Sequence, residues 1–188
     1  MILTGNEIIH EHKCGRITIE PFREEQVNPN SYNFRLNNVL RVYQTFPLDP
    51  KINNPYDDLA IPESGFVLQP KTLYLASTIE KMGSEYYAPT YSARSSIARL
   101  GLFINLSASL GDIGFVGNWT IQLYSIHSLK VYAGMNIGQI MWWKPKGKII
   151  LYCGKYQGSQ GPQSTLIYKD YEQQKLSNST VSESILKY

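Results

Sequence analysis

Residues 118–143 read NWTIQLYSIHSLKVYAGMNIGQIMWW. Three short apolar runs lie in this stretch: NWTIQLYSI (118–126), LKVYAG (129–134) and IGQIMWW (137–143). Each is rich in β-branched and aromatic residues, and turn residues separate them at short intervals, which is the signature of strands. Working outward, the same texture returns in RITIEPF (16–22), SYNFRL (31–36) and VLRVY (39–43). It returns again in FVLQP (66–70), LYLASTIEKM (73–82), LFINLSASL (102–110) and KIILYCG (148–154). So many short strands with so little helix predict an all-β sandwich or barrel. Two helical pieces are expected. Thr4 stands three residues before Glu7, the capping-box spacing, and Gly15 closes that segment. SSIARLG (95–101) reads as one helical turn. Residues 44–63 hold four prolines and read as a long loop or arm.

The chain has 188 residues, 43% of them apolar, enough for one domain with an ordinary core. The expected division is a domain over 1–170 and a polar tail over 171–188 that orders over the site or frays. A net charge of +3 is too small for a protein that coats a nucleic-acid polymer. No apolar run reaches membrane-spanning length. The N-terminus carries Glu7 and no signal-like apolar core, so the chain reads as cytoplasmic. Cys14 and Cys153 form no CxxC pair and read as reduced thiols. His10, His12 and His127 match no zinc-ligand spacing, so neither a zinc hydrolase nor a zinc deaminase is expected.

Three segments carry candidate chemistry. SARSSIARLG (92–101) puts two arginines and three serines around a helix start, a set suited to phosphate oxygens; solvated arginines on a capped turn are the plainer reading. GDIGFVG (111–117) presents one carboxylate, Asp112, on a tight turn, where an Asx-turn is the alternative. CGKYQGSQGPQ (153–163) suits closure over a phosphate and a stacked base, or is simply a polar loop. Trp142 and Trp143 read as core or contact residues. The acid pairs Glu24–Glu25 and Asp57–Asp58 point to opposite faces of an extended segment and form no acid/base dyad.

Five motifs, in order and at their spacing, resemble the dCTP deaminase family, in the superfamily it shares with trimeric dUTPase. They are VNPNSYNFRLNN (27–38), ARSSIARLGL (93–102), GDIGFVGNWTIQL (111–123), GMNIGQI (134–140) and GKYQGSQGP (154–162). The resemblance implies a distorted, dUTPase-like, jelly-roll-like β-barrel with a short N-terminal helix. It also implies a homotrimer with sites between subunits, a pyrimidine nucleoside triphosphate (dCTP or dUTP) as ligand, and Mg²⁺ carried by that triphosphate. Arg94, Ser95, Ser96 and Arg99 would meet the phosphates and the reacting end, with Ser95 and Arg99 also positioning water and polarising the pyrimidine. The Ala108 carbonyl would contact water or the amino group, and Asp112 the deoxyribose 3′-OH. In dUTPases the matching Asp activates the attacking water. Ile121, Gln139, Tyr152, Lys155 and Gln160 would complete the nucleotide shell.

The chain departs from the family pattern at several of these positions. Gln122 stands where the family has its general-base Glu, and an amide holds water without useful basicity. Asn33 replaces an Asp, Gly111 an Ile and Ile113 a Pro, and Ser159 replaces a Gln. The leading expectation is a dCTP deaminase-type hydrolase whose deamination is impaired or diverged. The alternatives are a dUTP diphosphatase working through Asp112 and a non-catalytic nucleotide-binding regulator.

Overall fold

The computed structural model describes residues 1–174. In chain order the named elements are α1 (Gly5–Lys13), β1 (Thr18–Glu20), β2 (Val27–Asn28), β3 (Ser31–Tyr43), β4 (Tyr56–Ala60), β5 (Phe66–Leu68) and β6 (Leu73–Gly83). Then follow β7 (Ala88–Ala93), α2 (Ser95–Ala98), β8 (Leu102–Phe103), β9 (Val116–Ser125), β10 (Leu129–Val131) and β11 (Asn136–Trp143). Nine strands form one antiparallel sheet in the order β7-β11-β3-β6-β9-β8, with β1 on β6 and β2 and β4 on β3; β10 pairs with β5. The fold is mostly β with a nearly closed, barrel-like sheet, one of the two architectures the strand pattern allowed. Among the described residues no helix is long and apolar enough to cross a membrane.

The period of two decides what each strand buries. β9 buries Gly117, Trp119, Ile121, Leu123 and Ser125 and turns Asn118, Thr120, Gln122 and Tyr124 to the less buried face. Phe34, Leu36, Leu40, Ala76, Ile137, Ile140 and Trp142 meet Ile121 and Leu123 in the core. Trp142 is fully buried in the core, whereas Trp143 is exposed and donates from Nε1 to Thr90 Oγ1, so the core reading holds for the first of the pair alone. The pairing of β6 with β9 shifts register between Ser77 and Lys81. This irregularity strands carbonyl oxygens, and the Asn118 amide donates to both Thr78 O and Ile79 O.

Several local expectations need correction. Helix α1 begins after Thr4, but the Thr4 side chain makes no capping hydrogen bond; Gly15, at φ 72°, does close the segment. Residues 44–63 are not all loop, because β4 pairs with β3 from Val39↔Ala60 to Tyr43↔Tyr56. LFINLSASL supplies only the two-residue β8. Beyond it the chain peels away: Ile104 O still accepts from Gln122 N, but Leu106 N turns to the Gln122 side chain. KIILYCG forms no strand. Beyond β11, whose end pairs with β7 and bridges to Ile2, the segment joins no ladder, and its Tyr152 N donates to Ile113 O on the Asp112 turn instead. β7, over APTYSA, was not expected; its pairing with β11 makes it a strand. Residues 168–174 are helical, which places the expected domain end at 170 inside a helical segment. The rest of the expected tail, 175–188, lies outside the described residues. Cys14 and Cys153 are both free and exposed.

Candidate active site

A cavity of about 450 Å³ opens between β9, the Asp112 turn and residues 152–165. Its lining is mainly aromatic and aliphatic, with Tyr43, Leu75, Tyr91, Phe115, Trp119 and Tyr156 among it. Asp112 is the single carboxylate there among the described residues, and neither lysine nor arginine lines the cavity. Apolar walls with a few convergent polar groups are what a small-molecule site requires.

One wall is built by a strap, residues 152–166, laid along β9. Gly158 N donates to Val116 O and Asn118 N donates to Ser159 O, continuing the sheet by backbone bonds. Gln157 accepts from Val116 N and donates to Gly114 O. Gln163 N donates to Thr120 Oγ1, Thr165 N to Tyr43 Oη and Leu166 N to Tyr156 Oη. The opposite wall is the Asp112 turn. Gly114 there has φ 98°, and a Cβ would fall 2.8 Å from Tyr152 N, so the turn and the strap meet only over glycine. The departure at Gly111 also has a local cause: a Cβ there would sit 2.0 Å from Trp119 Cη2. That ring is pinned by Trp119 Nε1 donating to Met82 O and by edge contacts with Tyr91 and Phe115.

The structure brings Ala108, Asp112, Gln122 and Tyr152 to this cavity. Ser159 lines it as well, next to Gln160, whose backbone carbonyl accepts from Gln163 Nε2. Gln122 Oε1 accepts from Leu106 N at 3.2 Å. Tyr152 packs edge-on to Phe115, and its hydroxyl accepts from Tyr156 N. The structure does not bring Arg94, Ser95, Ser96, Arg99, Ile121, Gln139 or Lys155 to the lining. Ile121 is fully buried in the core. Gln139, on β11, accepts from the Ser31 hydroxyl at 3.0 Å. Lys155 Nζ is paired with Asp170 at 2.5 Å. Arg94 caps the four-residue α2 in extended conformation, while Ser95, Ser96 and Arg99 are exposed. Asn33 exchanges amide hydrogen bonds with Asn28, a reciprocal pair that needs two amides. Sequence reasoning missed Trp119, Tyr43 and the strap's Gln157. Only the Gly111–Trp119 contact could have pointed to the first, and it is invisible before folding.

The family model that describes dCTP deaminase-like proteins matches residues 2–144. This chain belongs to that family. The match spans every strand of the sheet and the Asp112 turn but stops before the strap. A Leptospira biflexa protein named "dCTP deaminase, dUMP-forming" is 48% identical over 173 residues, covering 92% of this chain and 99% of its own length. A Clostridium botulinum (strain Eklund 17B) protein of the same name is 47% identical with the same coverage. These relatives therefore carry the strap as well. The crystal structure of 2′-deoxycytidine 5′-triphosphate deaminase from Agrobacterium tumefaciens superposes with a TM-score of 0.60 at 19% identity. That superposition covers 75% of this chain and 47% of the other, so this chain spans about half the length of that protein. It supports the barrel-like fold.

Proposed function

We propose that the chain binds a pyrimidine deoxynucleoside triphosphate beneath the strap and hydrolyses it, with dUMP as product, as the name of its relatives describes for them. The observation that supports this reading is the convergence of Ala108, Asp112, Gln122 and Tyr152, from separate stretches of chain, on one cavity. Base and sugar suit the apolar lining, where no cation waits for phosphate. The phosphate end falls to Arg94, Ser95, Ser96 and Arg99, contributed across a homotrimer by a neighbouring copy. Exposed Leu100, Phe103, Leu106 and Leu110 flank that segment and suit such a contact. Lys155 and Gln160 would close from the strap.

Asp112 is the group in the lining able to take a proton from water attacking the α-phosphorus. The new bond is water oxygen to phosphorus, the bond to the pyrophosphate oxygen breaks, and the proton passes to the carboxylate. A Mg²⁺ would be held by the phosphate oxygens and water, which leaves the Asp112 carboxylate free to act as the base. The ion would neutralise charge on the triphosphate. Deamination needs a base at position 122, where an amide stands, so that half-reaction is the slower one. A second reading, dUTP diphosphatase without deamination, is favoured by the same contrast between an amide at 122 and a carboxylate at 112. As a cytoplasmic enzyme it would draw on the free nucleotide pool.

Incubation with dCTP, dUTP and their ribonucleotide forms, with ammonia and pyrophosphate assayed separately, tests the proposal. Pyrophosphate from dUTP is expected, with slower ammonia release from dCTP that Gln122→Glu raises by roughly 10²-fold. Binding without either product would favour the regulator. No binding and no product would overturn the reading.

A further inference from the structure

We infer that Gln122 makes the cavity selective for a 4-oxopyrimidine, uracil or thymine, over cytosine. This rests on the pyrimidine-nucleotide reading above and adds the base to it. Leu106 N is a donor, so the Gln122 atom facing it must be the acceptor Oε1, and the amide is thereby oriented. Nε2 is left with its two N–H groups, and among the described residues nothing accepts from them. Turning the amide over would set N–H against the Leu106 N–H. Gln122 lies in the cavity lining, and the lining holds neither lysine nor arginine. The lining thus offers no cation to the β- and γ-phosphates, and the part of the ligand that fills the cavity is the base with its sugar, which brings the α-phosphorus to the Asp112 side. In the pose proposed, the base turns its 4-position to Nε2, where the O4 of uracil or thymine accepts and the 4-amino group of cytosine, a second donor, does not. A carboxylate at 122 would behave in the opposite way, accepting from Leu106 N with one oxygen and from the cytosine amino group with the other.

Calorimetry with the α,β-imido analogues of dUTP, dTTP and dCTP in magnesium measures this directly, each nucleotide being rechecked by chromatography after titration. For the wild-type chain the better-bound 4-oxo nucleotide is expected to exceed dCTP in affinity by about tenfold or more. A gap between dUTP and dTTP would report the room for a 5-methyl group. In Gln122→Glu the preference is expected to shift toward dCTP by a similar factor. A merely structural role for Gln122 would lower all affinities together and leave the ratio alone. Equal or tighter binding of the dCTP analogue by the wild-type chain overturns the inference while the nucleotide reading stands. So does an unchanged ratio in a folded Gln122→Glu variant. If no analogue binds, the nucleotide reading itself falls and the inference with it. The wild-type ratio decides the matter even where the variant fails to fold.

Discussion

The strap over the cavity and the arginine–serine turn at 94–99 occupy one chain but are finished to different degrees. Backbone and side-chain bonds tie the strap to β9 and to the Asp112 turn, and hydroxyls of Tyr43 and Tyr156 accept from Thr165 N and Leu166 N at its end. The arginine–serine turn rests on a four-residue helix. Among the described residues neither of its guanidinium groups takes part in an ion pair, and exposed Leu100, Phe103, Leu106 and Leu110 follow it along the chain. One chain can complete an apolar pocket for a base, because burial and sheet bonds act locally. It leaves the largely solvent-facing arginine–serine turn without such ties.

The sharpest way to break this division is at Asp112. Asp112→Asn is expected to lower pyrophosphate release from dUTP by roughly 10²–10⁴-fold while binding changes far less. Unchanged turnover would remove the carboxylate from the chemistry. Next is Arg94→Ala, expected to weaken triphosphate binding about tenfold or more in calorimetry. Co-assembled with Asp112→Asn chains, it should regain activity, since one site then draws Asp112 from an Arg94→Ala chain and Arg94 from an Asp112→Asn chain. Light scattering should give three times the chain mass at micromolar concentration. A monomer without rescue would mean that the two regions never meet.

A smaller effect is expected at Gly111. Gly111→Ala drives a methyl group against the pinned Trp119 ring and should cost about 1–3 kcal/mol in thermal or denaturant unfolding. Trp119→Ile should recover part of that loss by making room. Ser96→Ala, on the open turn, should leave the melting temperature unchanged.

The smallest effect concerns the brace behind the Asp112 turn. Ser84 links the two: its hydroxyl donates to Arg16 O, and its carbonyl accepts from Gly114 N. Hydrogen bonds from Arg16 outweigh the opposing effect of burial and hold the Glu11 carboxyl down at about 2, against an ordinary 4.5. A depressed folded value contributes stability that is complete above pH 4.5 and is lost as pH falls through about 2. Glu11→Gln should therefore flatten the acid side of the melting-temperature profile in that window. An identical slope in both proteins would show that the pair does not brace the turn.

Strand β9 was legible because it alternates over ten residues, long enough for the period of two to outweigh local noise. Strands β6 and β11 were legible because β-branched and aromatic residues run between turn residues, whereas β3 reads as two strands, 31–36 and 39–43, and is one. KIILYCG has the same composition and is no strand, since composition says nothing about whether an edge is available. β7 was overlooked in APTYSA, where a proline and small residues hide a segment that β11 recruits by pairing. The site divided in the same way. Asp112, on its glycine-rich turn, and Ala108, named only through the resemblance, line one cavity. Arg94 and Arg99 stood out in their motif and lie elsewhere.

Residue identity and spacing by themselves determined the all-β class, the family motifs and the amide at 122. Those are properties of side-chain chemistry and strand period, both written along the chain. Which groups face one cavity, which end of the Gln122 amide is turned to Leu106 N, and why position 111 must be glycine were decided by the tertiary structure. Each depends on residues brought together from distant sequence positions, where a single N–H donor or the edge of one indole ring sets the outcome.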